Sequence, residues 1–458
     1  MRNHRRKPVM KTTIAVFFLL LTGTAFAQMT GTREVTLDEA IRIALDKNYN
    51  SRTASLDLDR AQYSRSKAGD HLLPYVSGSA GYGITKPLTA TQTIGEALNG
   101  TPAHLQDPTH SFNYSIDANF NIYGGGFDAA SIRSAEYQLD AARYNLKWAR
   151  QSVAFNTTSA YVNALRTKAL LRSAYVTYSQ DSALLVRVRA QYDAGSVAVN
   201  SVYQQEAIVG QDELSRIQAK NNYDNAIADL LFVLDLPPSS YSDFDVSLKG
   251  IDTSIAALRG RATGLNYNTG SLNDLLQRRE DLAAQRSNIL SQEEGIAITR
   301  SALLPSLDAR AGIGGNGQNT DIPRTQFFNS LSGGLTLSVP IFDRMQTRLQ
   351  IDIQKVQLEE SRVLLDQAEQ QSRSDVAKAM NNLSASEQAL DASDRALKSA
   401  EESLRGATER LKVGAGIQVE VIVAEAQAQT ARVNKINAVY NYLLAEKQLE
   451  FLLGRTNY

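Results

Sequence analysis

The 458-residue chain has no cysteine, one tryptophan and ten prolines, and its 48 Lys+Arg are balanced by 48 Asp+Glu. Without cysteine there is no disulfide scaffold, no thiolate zinc site, no thiol nucleophile and no N-terminal cysteine for a lipid anchor. Without a basic excess there is no bulk positive surface to hold nucleic acid. Histidine is equally scarce: His4 lies at the extreme N-terminus, and His71, His104 and His110 lack metal-ligand spacing on a helix. Gly124-Gly125-Gly126 is not followed by the Lys and Ser or Thr of a phosphate loop, and Gly312-Ile313-Gly314-Gly315 opens no helix. No nucleophile, base and orienting group assemble, so the sequence reads as a protein with neither catalytic machinery nor cofactor.

Long apolar runs are also missing. Ile14 to Leu21 is far short of the ~20 residues that cross a bilayer. It is preceded by Arg2, Arg5, Arg6, Lys7 and Lys11 and followed by Ala25-Phe26-Ala27, the pattern of a cleaved export signal over 1–27. The expected mature chain starts at Gln28 and is mildly acidic. If it enters a membrane, it must do so as strands closed into a barrel, because no other backbone without apolar helices satisfies its hydrogen bonds in lipid.

The chain reads as two copies of one unit. Leu72-Leu73-Pro74 is echoed by Leu303-Leu304-Pro305 at an offset of 231. Ile122-Tyr123-Gly124 answers Ile341-Phe342-Asp343, and Ala194-Gly195-Ser196 answers Val413-Gly414-Ala415, both at 219. The first copy (28–235) and second copy (271–454) flank a linker at 236–270 expected to pack around the waist, and 455–458 form a tail. Each copy alternates apolar and polar residues in a β-hairpin, over 75–123 and 306–341. In the first, Phe112, Tyr114, Ile116, Ala118, Phe120 and Ile122 are separated by Asn113, Ser115, Asp117, Asn119 and Asn121. That period suits a transmembrane barrel strand and a half-exposed soluble hairpin alike. Aromatics at the strand ends (Tyr75, Tyr82, Phe112, Tyr123, Phe127, Phe327, Phe328, Phe342) favour the barrel, since such belts sit at membrane interfaces. Four strands cannot close a barrel, which takes about eight, so several chains must share one sheet.

Between hairpins the period turns helical. Residues 36–70 are expected as one helix with Leu37, Ile41, Leu45 and Leu56 on one face. Residues 124–194 and 343–412 run without proline for about 70 residues, roughly 105 Å of helix. In the second run Val376, Leu383, Leu390, Leu397, Leu404 and Leu411 fall seven apart, the mark of a supercoiled seam. Gly195 and Gly414 stand where the chain must reverse. Return helices (197–234, 416–454) plus the helices leading into the hairpins (36–70, 271–301) together match the long helices, as equal staves of a wall.

With these landmarks in order, the chain resembles the TolC-like outer membrane efflux and secretion channels over nearly all of its mature length. The resemblance rests on Leu-Leu-Pro before each first strand, the exits Ile122 to Gly126 and Val339 to Asp343, and the tips Tyr192 to Gly195 and Leu411 to Gly414. It implies an α+β membrane protein: a homotrimer whose shared transmembrane β-barrel continues into a long α-helical coiled-coil barrel in the periplasm. It implies docking of Gly195 and Gly414 onto a periplasmic adapter (membrane fusion protein) coupled to an inner-membrane transporter of RND or ABC type. It also implies acidic aperture rings six and nine positions after the second tip glycine; here these are Glu420 and Val423, so one ring is retained. The acidic residue expected after the first tip is Ser201, and the tyrosine and arginine flanking the second are Leu411 and Gly416. The reading is therefore the outer membrane duct of a tripartite efflux system. Its alternatives are the exit duct of a type I secretion system and, in another class, an exported coiled-coil tether.

Overall fold

The computed structural model describes residues 33–103, 105, 107–237, 244–247, 249, 257–258, 278–318 and 330–454. The export signal, His104, Phe327, Phe328, most of the 236–270 linker and the tail lie outside the described residues. The elements run β1 (Arg33–Val35), α1 (Leu37–Lys47), α2 (Tyr49–Ala68), β2 (Tyr75–Thr85), α3 (Ile94–Leu98), β3 (Thr109–Gly124), α4 (Phe127–Asp193) and α5 (Val199–Val233). They continue β4 (Phe244–Val246), α6 (Glu280–Ser301), β5 (Ser306–Gln318), β6 (Ser330–Ser338), α7 (Gln346–Lys412) and α8 (Gln418–Leu452).

The two long helices have 67 residues each, the two return helices 35 each, and the helices leading into the hairpins 20 and 22. The heptad seam of α7 does what its spacing requires: Val376, Leu383, Leu390 and Leu397 are buried, and Leu404 and Leu411 pack onto a small cluster of Ala407, Val421 and Ala424. Each such leucine contributes about 1.5–3 kcal/mol on burial. Near the sheet α4 runs beside α2 and α6, through Arg65–Glu136 and Arg133–Glu294 ion pairs at 2.7 and 2.8 Å. Toward its other end it runs beside α5, through Arg189–Glu206 at 2.6 Å.

The helix expected over 36–70 is instead two helices. Asn48 leaves the helical region (ψ 135°), and its Oδ1 accepts from the Asn50 amide at 2.9 Å to start α2 anew. Ile41 therefore joins the core with Ala40 and Ala44, whereas Leu56 stays exposed. The segment cut off, α1, belongs to the waist. There β1 and β4 pair in parallel, and Val35, Phe244 and Val246 bury against Tyr161, Leu165, Ile227 and Leu230. Tyr161 Oη lies 2.7 Å from the Val35 carbonyl and 2.6 Å from that of Ser247, and accepts from the Ser247 amide. Burial pushes this phenol up to about 12. Burial also pushes Asp245 upward, but hydrogen bonds from Lys168 and Tyr223 outweigh it and hold the carboxylate below its ordinary range.

Both hairpins form and join into one antiparallel sheet of order β2-β3-β5-β6. The second ends at Ser338 rather than 341, since Pro340 has no amide to donate to a ladder.

Candidate functional site

The register sorts the sheet into two unlike faces. On one lie Val76, Ala80, Tyr82 and Ile84 of β2 and Phe112, Tyr114, Ile116, Ala118 and Phe120 of β3. Leu307, Ala309, Ala311 and Ile313 of β5 and Leu331, Leu335 and Leu337 of β6 complete it. Phe112 and Tyr114 lie over Gly317 and Gly315, covering glycines that offer no side chain of their own. From Phe112 to Tyr123, past a bulge at Ile122, this face spans about ten residues, roughly 33 Å along a strand and about 25 Å in height at a tilt near 40°. The opposite face is polar and cross-linked by side chains: Ser79 with Ser115 at 3.0 Å, Asn121 to Asp308 at 2.9 Å, Arg310 to Asn119 at 3.0 Å.

Both outer strands, β2 and β6, have one unpaired edge in this sheet, and Leu331 at the β6 edge is 84% exposed. The helix beside each edge also carries one apolar stripe left exposed among the described residues. On α2, Tyr49, Leu56 and Tyr63 are exposed at seven-residue spacing; on α7, Leu349, Ile353, Val356 and Val363 are exposed while Ile351 and Leu358 bury against Ile289 and Ile296. The sequence reading missed these second stripes, although seven-residue spacing marks them too.

The aromatic positions divide by end and by face. Tyr82 opposes Phe112 at the end of the sheet away from the helices, and Tyr123 opposes Leu307 near them. Tyr75 opposes Asn119 and so lies on the polar face, apart from the other strand aromatics. Phe127 opens α4 and meets His71 edge-on at 5.7 Å, and Phe342 follows β6 in the exit segment.

The exits from β3 and β6 share a backbone. Gly125 and Gly126 have φ of +64° and +86°, and Arg344 and Met345, at the 219 offset, have +56° and +61°. Asp343 Oδ2 accepts from the Thr347 amide at 2.9 Å, and the Thr347 side chain, followed by this amide, holds its carboxyl below the usual range.

At the far end both helical hairpins turn in the same way. Gly195 (φ +74°) donates to Tyr192 O and Ser196 to Gln191 O, each at 2.8 Å; Gly414 (φ +76°) and Ala415 repeat this with Leu411 and Arg410. These are Schellman turns, and the left-handed residue at their centre explains both glycines. Glu420, in the first turn of α8, is ion-paired with Arg410 of α7 across this turn. The network is thus local to one hairpin.

No described helix is long and apolar enough to cross a membrane. The chain belongs to the family described as outer membrane efflux protein, whose profile matches residues 40–234 and 271–455. Outer membrane protein TolC of Escherichia coli K12 is 25% identical over 431 residues, covering 90% of this chain and 80% of that protein. The pyoverdine export outer membrane protein OpmQ of Pseudomonas aeruginosa is 23% identical over 354 residues, covering 77% and 71%. Among solved structures, the Campylobacter jejuni CmeC outer membrane channel matches with a TM-score of 0.76 at 17% identity, covering 98% of this chain and 94% of that one. Vibrio cholerae VceC matches at 0.74 and 17%, covering 91% and 96%. The chain shares the fold of these channels.

Proposed function

We propose that the protein is the outer membrane duct of a tripartite efflux system. Three copies close a 12-stranded barrel through their β2 and β6 edges, and their helices form a tunnel across the periplasm. The observation that carries this reading is the four-stranded sheet with two open edges and one face that is apolar but for His110 opposite Ile84: it is too small to close on itself, and in lipid an open edge leaves backbone groups unsatisfied. The exposed stripes on α2 and α7 support it, because each flanks an open edge and would meet its counterpart on the neighbouring copy. Long helices of 67 residues and return helices of 35 in both halves support a wall of even height.

Conduction is passive: the duct offers a polar passage, and an inner-membrane transporter joined through a periplasmic adapter supplies energy and selects cargo. The hairpin turns at Gly195 and Gly414 are the docking points for the adapter. A three-fold ring of Glu420 narrows the aperture and favours cations there; Arg410 offsets part of that charge. The purified protein should sediment with outer membranes, run as a trimer before heating and conduct ions in planar bilayers. A soluble rod without conductance would support the tethering class instead. Replacing Glu420 by Gln should reduce cation preference; unchanged selectivity removes the ring.

A further inference from the structure

The α4–α5 hairpin carries a polar layer in a seam otherwise built from apolar and small residues. Asp181 is 4% exposed, between the buried Thr177 and Val188 of α4. Facing it from α5 is Gln205, 2% exposed, whose Nε2 donates to Asp181 Oδ1 at 3.1 Å and to its backbone carbonyl at 3.3 Å. Seven residues on, at the same seam position, stands the half-buried Asp212, whose Oδ2 is shut off from solvent with no hydrogen-bond partner among the described residues and whose carboxyl interacts with that of Asp181. The coiled-coil hairpin does not require these acids. At the 219 offset the α7–α8 hairpin has Ala400, Ala424 and Ala431, and the latter two are buried in its seam. One hairpin is zipped by alanines, the other by two carboxyl groups and an amide.

A carboxyl oxygen shut off from water without a donor, beside a second buried carboxylate, favours the neutral acid, so one of the two keeps a proton. We propose that Asp181 and Asp212 form a proton-binding site in the hairpin seam, that a bound proton holds the tip-proximal half of the α4–α5 hairpin together, and that its loss loosens that half. The site stands on its own geometry; only its consequence for the docking tip rests on the channel reading.

The charges around the pair favour keeping the proton. Burial, the interaction with the Asp181 carboxyl, its charge and that of Glu425 on α8 together raise Asp212 to about 7. Glu425 is itself pushed up by burial and by Asp181, with Arg432 opposing. The cations on these faces are only partly engaged by other groups, and Arg216 Nε is buried without a hydrogen-bond partner among the described residues. Arg216 sits 5.0 Å over the Tyr178 ring and 3.7 Å from Glu213, and Arg432 is 3.5 Å from Glu401 of α7. Since the folded state holds a proton that an unfolded carboxylate releases near pH 4, the closed hairpin weakens as pH rises from about 4 through about 7 and is flat beyond.

The absence of cysteine makes the test clean. Ala183→Cys on α4 and Ala207→Cys on α5, both exposed, are spin-labelled in the full-length protein and their separation is followed from pH 5 to 9. The expected result is a distance that lengthens and broadens with a midpoint near pH 7. Asp212→Asn, a permanently neutral acid, should hold the short distance throughout, and Asp181→Asn should move the midpoint acidward by roughly 1 pH unit or more. A pH-invariant distance in the parent protein, or an unchanged midpoint in Asp212→Asn, overturns the proposal. If either variant fails to fold, the parent series alone decides. The readout does not depend on conduction, so a non-conducting protein with the expected transition refutes the channel reading and leaves the proton site.

Discussion

The side-chain amide of Asn48 donates to the backbone carbonyl of Val233 at 2.8 Å, across 185 residues of chain. Its Oδ1 simultaneously caps α2. One asparagine thus starts one helix and receives the end of another, stacking α2 on α5 alongside the unbroken α4. Asn48→Ala removes both bonds and should cost about 1–2 kcal/mol in a denaturant titration. Asn48→Asp keeps the cap but loses the donor, and should recover only part of that loss.

The glycine positions separate strain from collision. At Gly195 a Cβ would meet nothing within 4 Å, so Gly195→Ala should cost only the left-handed strain, about 1–2 kcal/mol. At Gly125 a Cβ would approach Ser301 O to 2.7 Å and Leu304 Cβ to 2.9 Å, so Gly125→Ala should cost clearly more. Met345→Gly should act in the opposite direction, relieving a left-handed non-glycine residue, and raise the melting temperature.

Much of this was legible in the chain, and the exceptions have physical causes. Seven-residue spacing announced the α7 seam, and strict alternation announced both faces of the sheet, because each period reports directly on one buried side. The break at Asn48 was not legible: its neighbours continue a helical pattern, and only the distant Val233 carbonyl and the waist strands reward the interruption. β1 and β4 were missed since three-residue strands carry no period. The offset that pairs Gly125 with Arg344 was readable, yet the shared left-handed backbone was not, because arginine and methionine do not advertise it. Tyr75 shows a limit of reading aromatics by position alone, since its face is fixed by register.

Asp394 on α7 is held down to about 2 by hydrogen bonds from Lys435 of α8 and Lys398. The pairs are 2.6 and 2.9 Å long. A depressed pKa stabilises above the ordinary carboxylate range near 4, and that contribution fades as pH falls through about 2. Solvent screening limits it to about 1 kcal/mol. Asp394→Asn should therefore lower the melting temperature at pH 7 and converge with the parent protein near pH 2.

The exposed stripes beside the sheet edges should govern assembly rather than folding. Leu56→Asp or Val356→Asp places a charge on a surface already open in the single chain, so helical content should persist. The trimer expected before heating should be lost from native gels.

Covalent trapping of the sheet edges tests the central claim most directly. Within one chain β2 and β6 are three strand spacings apart, roughly 14 Å, beyond the 7 Å limit for a disulfide. Single cysteines scanned over 76–82 on β2, each combined with one over 331–337 on β6, are oxidised in outer membranes and run on a denaturing gel. Closure by three copies predicts that at least one register yields a covalent trimer that vanishes on reduction. Monomer alone at every register contradicts the account.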